Sequence, residues 1–439
     1  MFEVILACTK EYGIGLNNGL PWNYSDELKI FKEKTLNSVL LCGSNTSRNL
    51  PYLPNRIVYT ISYRNGSIEK EIENTYKCFP NKRIFIIGGG QIYDYVFRKM
   101  YNQISKLHIS IIKGQYTCDK YITELNLRQW VILEEKDYPN FTHYVLKYDP
   151  RESQYTDLIK SIPKDFRLTR NAETASVFGK HFRFDLSDGL FPLLTTKKMF
   201  FRGIVEELLF FIRGDTDTKV LESKGVNIWK GNTNRQFLDS LGMTSRKEGL
   251  MGPMYGYQWR FFNAMYDEEK GAVLNDEGVD QLKNVINLIR NDPMSRRIVL
   301  TSFNPKQASE GVLYPCHSLI VQFYVNSNGN LDMFCYNRSQ DLFLGTPFNI
   351  ASSALLLVLI AKITDKKPGV LNMSLGDVHL YKSHYELAQI QAERQPYMFP
   401  SLKINKDVKE LSDICEMTSE DFSIENYRCS PSIKAEMIA

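Results

Sequence analysis

The chain has 439 residues, which exceeds the size at which a single hydrophobic core keeps growing, so two or more domains are expected. Hydrophobic residues make up 43% and charged residues 24%, a composition typical of globular protein that excludes a disordered or fibrous chain. The 54 basic and 50 acidic residues leave a net charge of only +4, which argues against a nucleic-acid or membrane partner.

The eight cysteines are scattered along the chain without C-x-x-C pairs. In a chain of this length, such spacing argues against a disulfide framework or a zinc site and favours a reducing, cytoplasmic location without a bound metal. The N-terminal run over 1–7 lacks a basic region and a cleavage site, so it predicts a first strand and not a signal peptide. The apolar run over 350–361 is too short to span a bilayer and predicts a buried helix.

The first 148 residues alternate between short apolar runs and amphipathic segments. A helix is predicted over 25–34 with Ser25 as its N-cap, and a second helix follows the turn Gly88-Gly89-Gly90. Strands are predicted over 2–8, 39–42, 56–61, 83–87, 107–112 and 143–148. This alternation predicts an α/β domain with a mainly parallel sheet.

A polar segment over 149–154, which contains Pro150, predicts a short linker. From 155 to 439 the pattern changes to long helices mixed with strands, which predicts an α+β domain. Helices are predicted over 204–212, 278–290, 350–363 and 383–394, and strands over 297–302, 318–325 and 331–336. The Asn- and Gly-rich segment 326–330 predicts a hairpin between the last two strands.

A candidate nucleophile of the second domain is Cys316, in the run Tyr314-Pro315-Cys316-His317. A lone cysteine is more often a small core residue, so this motif alone is weak. Three arginines strengthen it: Arg296 and Arg297 precede the cysteine, and Arg338 follows it across the predicted hairpin. Nearby guanidinium groups lower a thiol pKa, and several arginines together suit a phosphomonoester dianion. We therefore predict a cysteine enzyme that acts on a small phosphorylated substrate.

Several segments of the second domain, in order along the chain, resemble the thymidylate synthase family. They are Glu207-Leu208-Leu209, Ile228-Trp229, Gly252-Pro253-Met254-Tyr255-Gly256, Asp292-Pro293-Met294-Ser295-Arg296-Arg297, Leu313-Tyr314-Pro315-Cys316-His317, Asn337-Arg338-Ser339-Gln340-Asp341, Gly345-Thr346-Pro347-Phe348-Asn349 and Gly376-Asp377-Val378-His379-Leu380-Tyr381. So many independent motifs in the family's order make coincidence negligible.

The resemblance implies that the Cys316 thiolate adds to C6 of the uracil ring of dUMP, and that the resulting enolate attacks the one-carbon unit of 5,10-methylenetetrahydrofolate. Glu207 would organise waters for proton transfer, and Trp229 and Asp341 would contact the folate. The residues implied at dUMP are Arg170, Arg296, Arg297, His317, Gln322, Arg338, Ser339, Asp341, Asn349, His379 and Tyr381.

The family pattern also implies a homodimer, because Arg296 and Arg297 would reach the phosphate from a second subunit. Asn349 favours dUMP over dCMP, since an amide offers both an acceptor for N3–H and a donor to O4. The C-terminal segment 433–439 would fold over the bound ligands. Three departures are visible: an extra residue before Gln322, which predicts a strand bulge, a hairpin over 326–330 that is one residue longer than usual, and a shortened loop after Arg170.

The first domain offers a carboxylate and a glycine turn as candidate binding groups. Glu27 shares a helical face with Phe31, and a carboxylate in an apolar cleft suits a protonatable N–C–N heterocycle. The turn at Gly88-Gly89-Gly90 would let backbone N–H groups approach a pyrophosphate. Taken singly, each also fits a solvated helix residue or a tight turn.

Together with Gly19-Leu20-Pro21-Trp22 and Ile86–Tyr93, these features resemble the dihydrofolate reductase family over about 2–148. The resemblance implies Glu27 as the catalytic acid, with Trp22, Phe31, Leu53 and Arg56 at the folate. Residues implied along NADPH are Ala7, Ile14, Gly43, Thr46, Ser62, Arg64, Gly88, Gly89, Gly90 and Tyr93. The segment Gly43-Ser44-Asn45-Thr46-Ser47 lacks the family's usual basic residue for the 2′-phosphate, a charge that Arg64 could replace.

The two resemblances together imply a bifunctional reductase–synthase, in which the synthase oxidises its folate to dihydrofolate and the reductase restores tetrahydrofolate. An alternative keeps the synthase active but makes the first domain a catalytically impaired module with a structural or regulatory role, because Ser44 and Ser47 depart from the family pattern. A third hypothesis, an RNA-binding regulator, is disfavoured by the balanced charge. The sequence leaves open whether the reductase prefers NADPH over NADH.

Overall fold

The computed structural model describes residues 1–61, 67–169, 172–273 and 278–438. The chain forms two compact units, residues 1–150 with 395–398, and residues 151–394 with 399–439. The last strand of the first unit ends at Tyr148, and the first helix of the second unit begins at Ser153. The proposed linker over 149–154 and the exact domain limits stay a prediction.

The first unit is built around one large sheet with helices packed against it. Its strands are β1 (Phe2–Thr9), β2 (Gly13–Gly15), β3 (Val39–Gly43), β4 (Ile57–Ile61), β5 (Ile84–Gly88), β6 (Ile104–Ile112), β7 (Lys120–Tyr121), β8 (Trp130–Asp137) and β9 (Phe141–Tyr148). Its helices are α1 (Ser25–Thr35), α2 (Ser44–Asn49), α3 (Ile68–Cys78) and α4 (Gly90–Lys99).

The large sheet has the strand order β4-β3-β5-β1-β6-β9-β8. Strands β4, β3, β5, β1 and β6 run parallel, and β9 is antiparallel to both of its neighbours. The prediction of a mainly parallel α/β sheet is therefore confirmed. Strands β3 and β5 read as continuous apolar runs because helices cover both of their faces.

The prediction of Ser25 as the N-cap of α1 is wrong. Tyr24 holds the capping position in an extended conformation, and its side chain makes no capping hydrogen bond. Ser25 is instead the first helical residue. Helix α1 begins with Asp26 and Glu27 in its first turn, where carboxylates are favoured by the helix dipole.

The second unit combines a mixed sheet with several helices. Its strands are β10 (Arg167–Leu168), β11 (Glu173–Asp185), β12 (Tyr266–Asp267), β13 (Ala272–Val273), β14 (Val299–Thr301), β15 (Ile320–Val325), β16 (Leu331–Asp341), β17 (Pro368–Tyr381), β18 (Ser401–Ile404) and β19 (Phe422–Glu425). Its helices are α5 (Ser153–Ser161), α6 (Phe201–Arg213), α7 (Lys219–Ser223), α8 (Lys230–Thr233), α9 (Arg235–Ser240), α10 (Gly256–Phe261), α11 (Gln281–Asn291), α12 (Gly345–Ile363), α13 (Tyr385–Ala392) and α14 (Leu411–Cys415).

The mixed sheet has the order β10-β11-β17-β16-β15-β14, and only β16 and β17 pair in parallel. One sheet face packs against α12, which in turn packs against α6 in the core of the unit. The other face exposes Ile320, Tyr324 and Phe334, which alternate along β15 and β16 with buried side chains. Helix α12 is long and apolar enough to cross a membrane, but most of it is buried in this core.

Strand β15 pairs with β16 in unbroken register from Ile320 to Val325, so the predicted bulge does not lie within the strand. The irregular residue lies just before it. Ser318 adopts φ 51°, an uncommon conformation for a residue other than glycine. The extra residue between Cys316 and Gln322 is therefore absorbed in the loop that carries the cysteine.

Helices α6 and α10 cross closely at Gly256. A Cβ atom built on Gly256 would lie 2.1 Å from the carbonyl oxygen of Phe211, so only glycine fits there. The preceding residue, Tyr255, adopts φ 43°, and its ring stacks on Phe211 with centroids 5.0 Å apart. This crossing fixes the position of the Tyr255 side chain.

We predict that Gly256→Ala destabilises the second unit by at least about 2 kcal/mol, because a backbone carbonyl cannot yield to the added methyl group. Gly231→Ala is the matched control, since a Cβ on that helical glycine would meet no atom within 4 Å. Thermal unfolding of the full chain measures both variants. An equal or higher melting temperature for Gly256→Ala than for Gly231→Ala would contradict the close crossing.

Candidate active sites in the two units

Cys316 lies in the loop between β14 and β15, where its backbone is held from two sides. Its N–H donates a hydrogen bond of 3.0 Å to the hydroxyl of Tyr255, and its carbonyl accepts one of 2.9 Å from the N–H of Arg338. The Arg338 side chain returns to the same loop. Its Nε donates to the carbonyl of Pro315 at 2.9 Å, and its Nη2 lies 3.6 Å from the Cys316 Sγ.

Burial raises the pKa of the Cys316 thiol above its ordinary value, and Arg338 and the Tyr255 hydroxyl offset this only in part. Arg338 does lower the pKa of the thiol, as expected. In a single chain, however, the pKa of Cys316 is still raised overall, so the expectation of a lowered value is wrong there. Desolvation of the thiolate outweighs a single guanidinium group. A thiol in this setting needs further positive charge before it ionises readily.

Arg296, Arg297 and Gln322 are not brought to the thiol of the same chain. Both arginines are exposed ahead of β14. Val299 pairs with Gln322, so the start of β14 lies beside the middle of β15. This places the two arginines, which precede β14, roughly 20 Å along the strands from Cys316. Gln322 itself points to the exposed face of the sheet. Their assignment to the nucleotide site stays a prediction.

His317 packs beside the cysteine as an aromatic ring. It stacks on Tyr255 with centroids 4.6 Å apart and an interplanar angle of 22°. Burial lowers the pKa of His317 to about 4, so the imidazole is neutral at physiological pH. A neutral ring can accept or donate a single hydrogen bond but cannot attract a phosphate by charge.

Most of the remaining residues expected at dUMP lie near the C-terminal ends of two parallel strands. Asp341 of β16 lies beside His379 of β17, and Tyr381 follows on the same strand. The rings of His379 and Tyr381 are 5.4 Å apart. Ser339 lies on β16 next to Arg338, and Asn349 lies in the N-terminal part of α12, which follows β16. Arg170 lies outside the described residues.

Glu207 lies on α6 with only 8% of its surface exposed. One of its carboxylate oxygens accepts a hydrogen bond of 2.8 Å from the indole N–H of Trp229. Burial raises the pKa of Glu207 to about 7, and the bond from Trp229 offsets part of that rise. The Trp229 ring lies 5.8 Å from that of Tyr255, so the carboxylate and the cysteine loop share one aromatic wall.

Sequence reasoning missed two residues of this region. Tyr255 appeared only as part of a motif, and its role depends on a backbone conformation that no local pattern predicts. Lys197 is buried, donates to the carbonyl of Phe343 and lies 4.0 Å from that ring. Burial lowers the pKa of Lys197 to about 8, with Asp341 acting in the opposite direction. The signal in the sequence was weak: Lys197 follows the apolar run 190–194 after two threonines.

In the first unit, Glu27 and Trp22 are both buried. Burial raises the pKa of the Glu27 carboxyl to about 7, which makes it a proton donor or acceptor near neutrality. The Trp22 indole N–H has no hydrogen-bond partner among the described residues. Its ring contacts Tyr116 at 5.6 Å.

The other expected folate residues line the sheet face beneath α1. Phe31 and Leu53 pack against a buried cluster that includes Ile5 and Phe85. Arg56 is half-buried, and its Nε donates to the carbonyl of Pro54 at 3.3 Å. To bind a folate carboxylate, the Arg56 guanidinium would exchange its weak hydrogen bond to Pro54 for a stronger one to the carboxylate.

The expected cofactor residues converge around the glycine turn after β5. Gly88 has φ 114°, and a Cβ there would lie 3.0 Å from the Tyr93 ring. A Cβ on Gly89 would lie 3.0 Å from the Thr46 hydroxyl, and the Tyr93 hydroxyl donates to the carbonyl of Ile5 at 2.7 Å. Gly43, Gly90 and Ile14 lie against the same turn, and Ala7 lies on the neighbouring β1. Ser62 and Arg64 lie outside the described residues.

Side chains at Gly88 and Gly89 would fill the space beside this turn. Because these residues are glycines, the turn fits an extended pyrophosphate held by backbone N–H groups. Helix α4 starts at Gly90 directly behind it, with its N-terminus facing the turn. The residues present therefore fit a dinucleotide cofactor.

Two family models match the chain end to end. The dihydrofolate reductase model matches residues 1–152, and the thymidylate synthase model matches residues 153–439. The chain belongs to the bifunctional dihydrofolate reductase–thymidylate synthase family. Proteins of that name are similar to it in Paramecium tetraurelia at 38% identity, Zea mays at 34% and Leishmania major at 33%. Each alignment covers 99% of this chain, and 98%, 96% and 95% of those proteins respectively.

Membership in this family establishes both activities. The enzyme methylates dUMP to dTMP with 5,10-methylenetetrahydrofolate as co-substrate, and it reduces the dihydrofolate formed to tetrahydrofolate with NADPH. The predicted fold classes of the two domains are confirmed as well. Nothing in the comparisons supports the alternative of an impaired reductase domain.

We predict that Trp229→Phe shifts the pH dependence of the synthase reaction. The indole N–H stabilises the ionised form of Glu207, so its removal raises a pKa that is already about 7. The limb of the kcat/KM profile for dUMP that titrates near neutrality should therefore move to higher pH. Glu207→Gln, which cannot titrate, is the control and should lack that limb. A limb that stays in place in Trp229→Phe would contradict this link.

Proposed function

We propose that Cys316 is the nucleophile of dTMP synthesis and that Arg338 and Tyr255 position it. The observation that carries this proposal is the close set of contacts at one loop: the thiol lies 3.6 Å from Arg338 Nη2, while Tyr255 holds the Cys316 N–H. The thiolate adds to C6 of the uracil ring, the C5–C6 double bond opens to an enolate, and C5 then attacks the methylene group of the folate. Covalent addition divides one difficult step into two easier ones.

We assign the contacts of the nucleotide to the side chains around that loop. Arg338 and Ser339 bind the phosphate, His379 and Tyr381 hold the ribose, and Asn349 reads N3 and O4 of the base. Arg170 is assigned to the phosphate from the family pattern alone. His317 serves as a neutral ring that packs on Tyr255, which is consistent with its low pKa.

On the folate side, we assign Trp229 and Asp341 to the pterin and Glu207 to the water network that moves protons. The pKa of Glu207, raised to about 7 by burial, supports this role because such a carboxyl can both give and take a proton near neutral pH. The hydrogen bond from Trp229 to Glu207 suggests that Trp229 acts mainly by orienting the carboxylate and less by stacking.

We propose that two chains form a homodimer through the exposed face of the mixed sheet. Ile320, Tyr324 and Phe334 present apolar side chains there, which is unusual for a solvated sheet face. Arg296, Arg297 and Gln322 lie at this face or its edge, away from the thiol of their own chain. A twofold interface would let these arginines serve the partner's phosphate site. Their positive charges would add to that of Arg338 and so lower the pKa of the Cys316 thiol.

In the reductase half, we assign Glu27 as the proton-transferring carboxyl at the pterin, with Trp22, Phe31, Leu53 and Arg56 around the folate. NADPH supplies the hydride when bound. Gly88, Gly89 and Gly90 cradle its pyrophosphate, and Gly43, Thr46 and Tyr93 flank it, with Ala7 and Ile14 lining the approach. Ser62 and Arg64 are assigned from the family pattern alone. We place the enzyme in the cytoplasm on the basis of its scattered cysteines.

We assign the Glu27 carboxyl to the reductase and the Cys316 thiol to the synthase. Each substitution in the full chain should therefore abolish one activity and leave the other intact. Cys316→Ala should abolish dUMP-dependent formation of dihydrofolate and leave dihydrofolate-dependent NADPH oxidation intact. Glu27→Ala should do the reverse, with at least about a hundredfold loss of reductase turnover expected for a lost acid–base group. Spectrophotometric assays of both variants measure this.

Repeating the oxidation assay with NADH tests the cofactor preference in the same samples. Retention of synthase turnover by Cys316→Ala would contradict the assigned nucleophile. Failure of the wild-type chain to oxidise either nicotinamide cofactor would contradict the reductase assignment.

The shared site predicts complementation between two inactive variants. Arg297→Ala should lose most synthase activity, and Cys316→Ala should lose all of it. Random pairing of the two chains leaves about one site in four with both an intact cysteine and a partner's intact arginine, so co-expression should restore about a quarter of the activity. Arg296 and Arg297 acting within their own chain would give no recovery. Lys283→Ala, an exposed lysine on α11, serves as a charge-loss control.

A further inference from the structure

The C-terminal residues 430–438 form a strap held to the second unit by a few polar contacts. The Ser430 N–H donates to the carbonyl of Thr195 at 2.8 Å. Arg394 Nη1 donates to the carbonyl of Pro431 at 2.7 Å. Near the far end, His384 Nε2 lies 2.8 Å from the carbonyl oxygen of Glu436. Among the described residues, His384 thus provides the polar anchor nearest the C-terminus.

The strap contributes little apolar surface of its own. Ile433 and Ala435 pack against the core, while Lys434 and Glu436, which alternate with them, are exposed. This period of two is that of an extended chain with one face on the protein. Because a strap with so few buried side chains opens easily, each polar anchor accounts for a large part of its docking.

His384 is well placed to be more than an anchor. Only 2% of its surface is exposed, and its ring lies 5.6 Å from Tyr381 and 5.6 Å from Phe343. A carbonyl oxygen can only accept, so Nε2 carries the hydrogen that binds Glu436. Nδ1 has no hydrogen-bond partner among the described residues, which leaves the contact to the strap as the main polar function of this ring.

We propose that His384 is a positioning residue for the synthase reaction, which fixes the closed strap and links it to Tyr381 at the nucleotide site. The proposal rests on the assignment of Tyr381 to the ribose of dUMP. Strand β17 ends at Tyr381, and the short helical turn Lys382–His384 follows it directly. A nucleotide that holds the Tyr381 ring also restricts the ring of His384, and so favours the docked strap.

The consequence is that the two substrates respond differently to loss of this anchor. The family pattern implies that the docked strap retains the folate co-substrate and excludes water, and His384 holds the strap in that position. His384 touches neither substrate in this account. Its loss should therefore weaken folate retention and leave dUMP binding intact, a split that a general loss of folding would not produce.

The test compares His384→Ala, His384→Gln and the control Glu386→Gln in the full-length chain. Glu386 lies on α13 close by and is paired with Lys164 at the surface. His384→Ala should raise the KM for methylenetetrahydrofolate by about tenfold, as expected for one lost hydrogen bond, with the dUMP dissociation constant changed by less than roughly twofold. His384→Gln, whose amide can donate from a similar position, should recover most of the effect. Glu386→Gln should match the wild type.

A truncated chain that ends at Ala435 completes the cycle. It lacks the Glu436 carbonyl, so adding His384→Ala to it should change the folate KM no further. Additive effects of the truncation and the substitution would overturn the proposal, as would a Gln variant that behaves like Ala. Unchanged folate KM in His384→Ala would do the same.

Hydrogen exchange on the unmutated enzyme provides a measurement that does not depend on any variant folding. Addition of dUMP alone should slow exchange of the amides in 432–438. Exchange that is unaffected by dUMP would overturn the link through Tyr381. Because wild-type turnover and dUMP binding are measured in the same samples, their absence would instead point to a wrong assignment of the nucleotide site.

Discussion

The hydrogen bond from the Cys316 N–H to the Tyr255 hydroxyl is the interaction on which the proposed synthase site depends. Tyr255 can offer its hydroxyl there only because it adopts φ 43°, which bulky residues rarely do. That conformation follows from the crossing of α6 and α10, where Gly256 lies against the carbonyl of Phe211. Strain of this kind persists when the surrounding packing determines it. The position of Cys316, the nucleophile that we propose, therefore depends on a helix crossing in the core.

Both halves of the enzyme use burial to bring a carboxyl group into the neutral pH range. Glu27 and Glu207 lie on helices of different units, and burial raises the pKa of each to about 7. The environment of Glu207 includes a donor, the Trp229 indole, which opposes the rise. At Cys316 the same desolvation opposes the role that we propose for it, because the nucleophilic form of a thiol is the charged one. In the homodimer that we propose, the arginines of the partner chain would add positive charge near the thiol and so favour the thiolate.

Much of this arrangement could be predicted from the sequence. The apolar runs of β1, β3, β5 and β6 indicated a parallel sheet, and the motifs around Cys316 and Arg338 indicated the thymidylate synthase family. The structure brings Arg338 to the thiol and gathers the glycine turn with Thr46 and Tyr93. These features depend on local composition or on motifs with fixed roles.

What could not be predicted depends on tertiary contacts. The net pKa of Cys316 is a difference between desolvation and charge, and only the structure gives both. The weak signal at Lys197 did not identify a site residue, because the ring and carbonyl of Phe343 that it contacts lie far away along the chain. The N-cap of α1 was misjudged because Ser25, a frequent capping residue, already lies inside the helix. The outward orientation of Gln322 follows from the register of β15.

The most direct test of the central claim is to identify the cysteine that bonds to the nucleotide. The full-length enzyme would be mixed with dUMP and methylenetetrahydrofolate, quenched during turnover and digested for mass spectrometry. The structure holds eight free cysteines, and the account predicts that only the peptide containing Cys316 carries the nucleotide mass. An adduct on another cysteine, or dihydrofolate formed with Cys316 unmodified at every quench time, would contradict it.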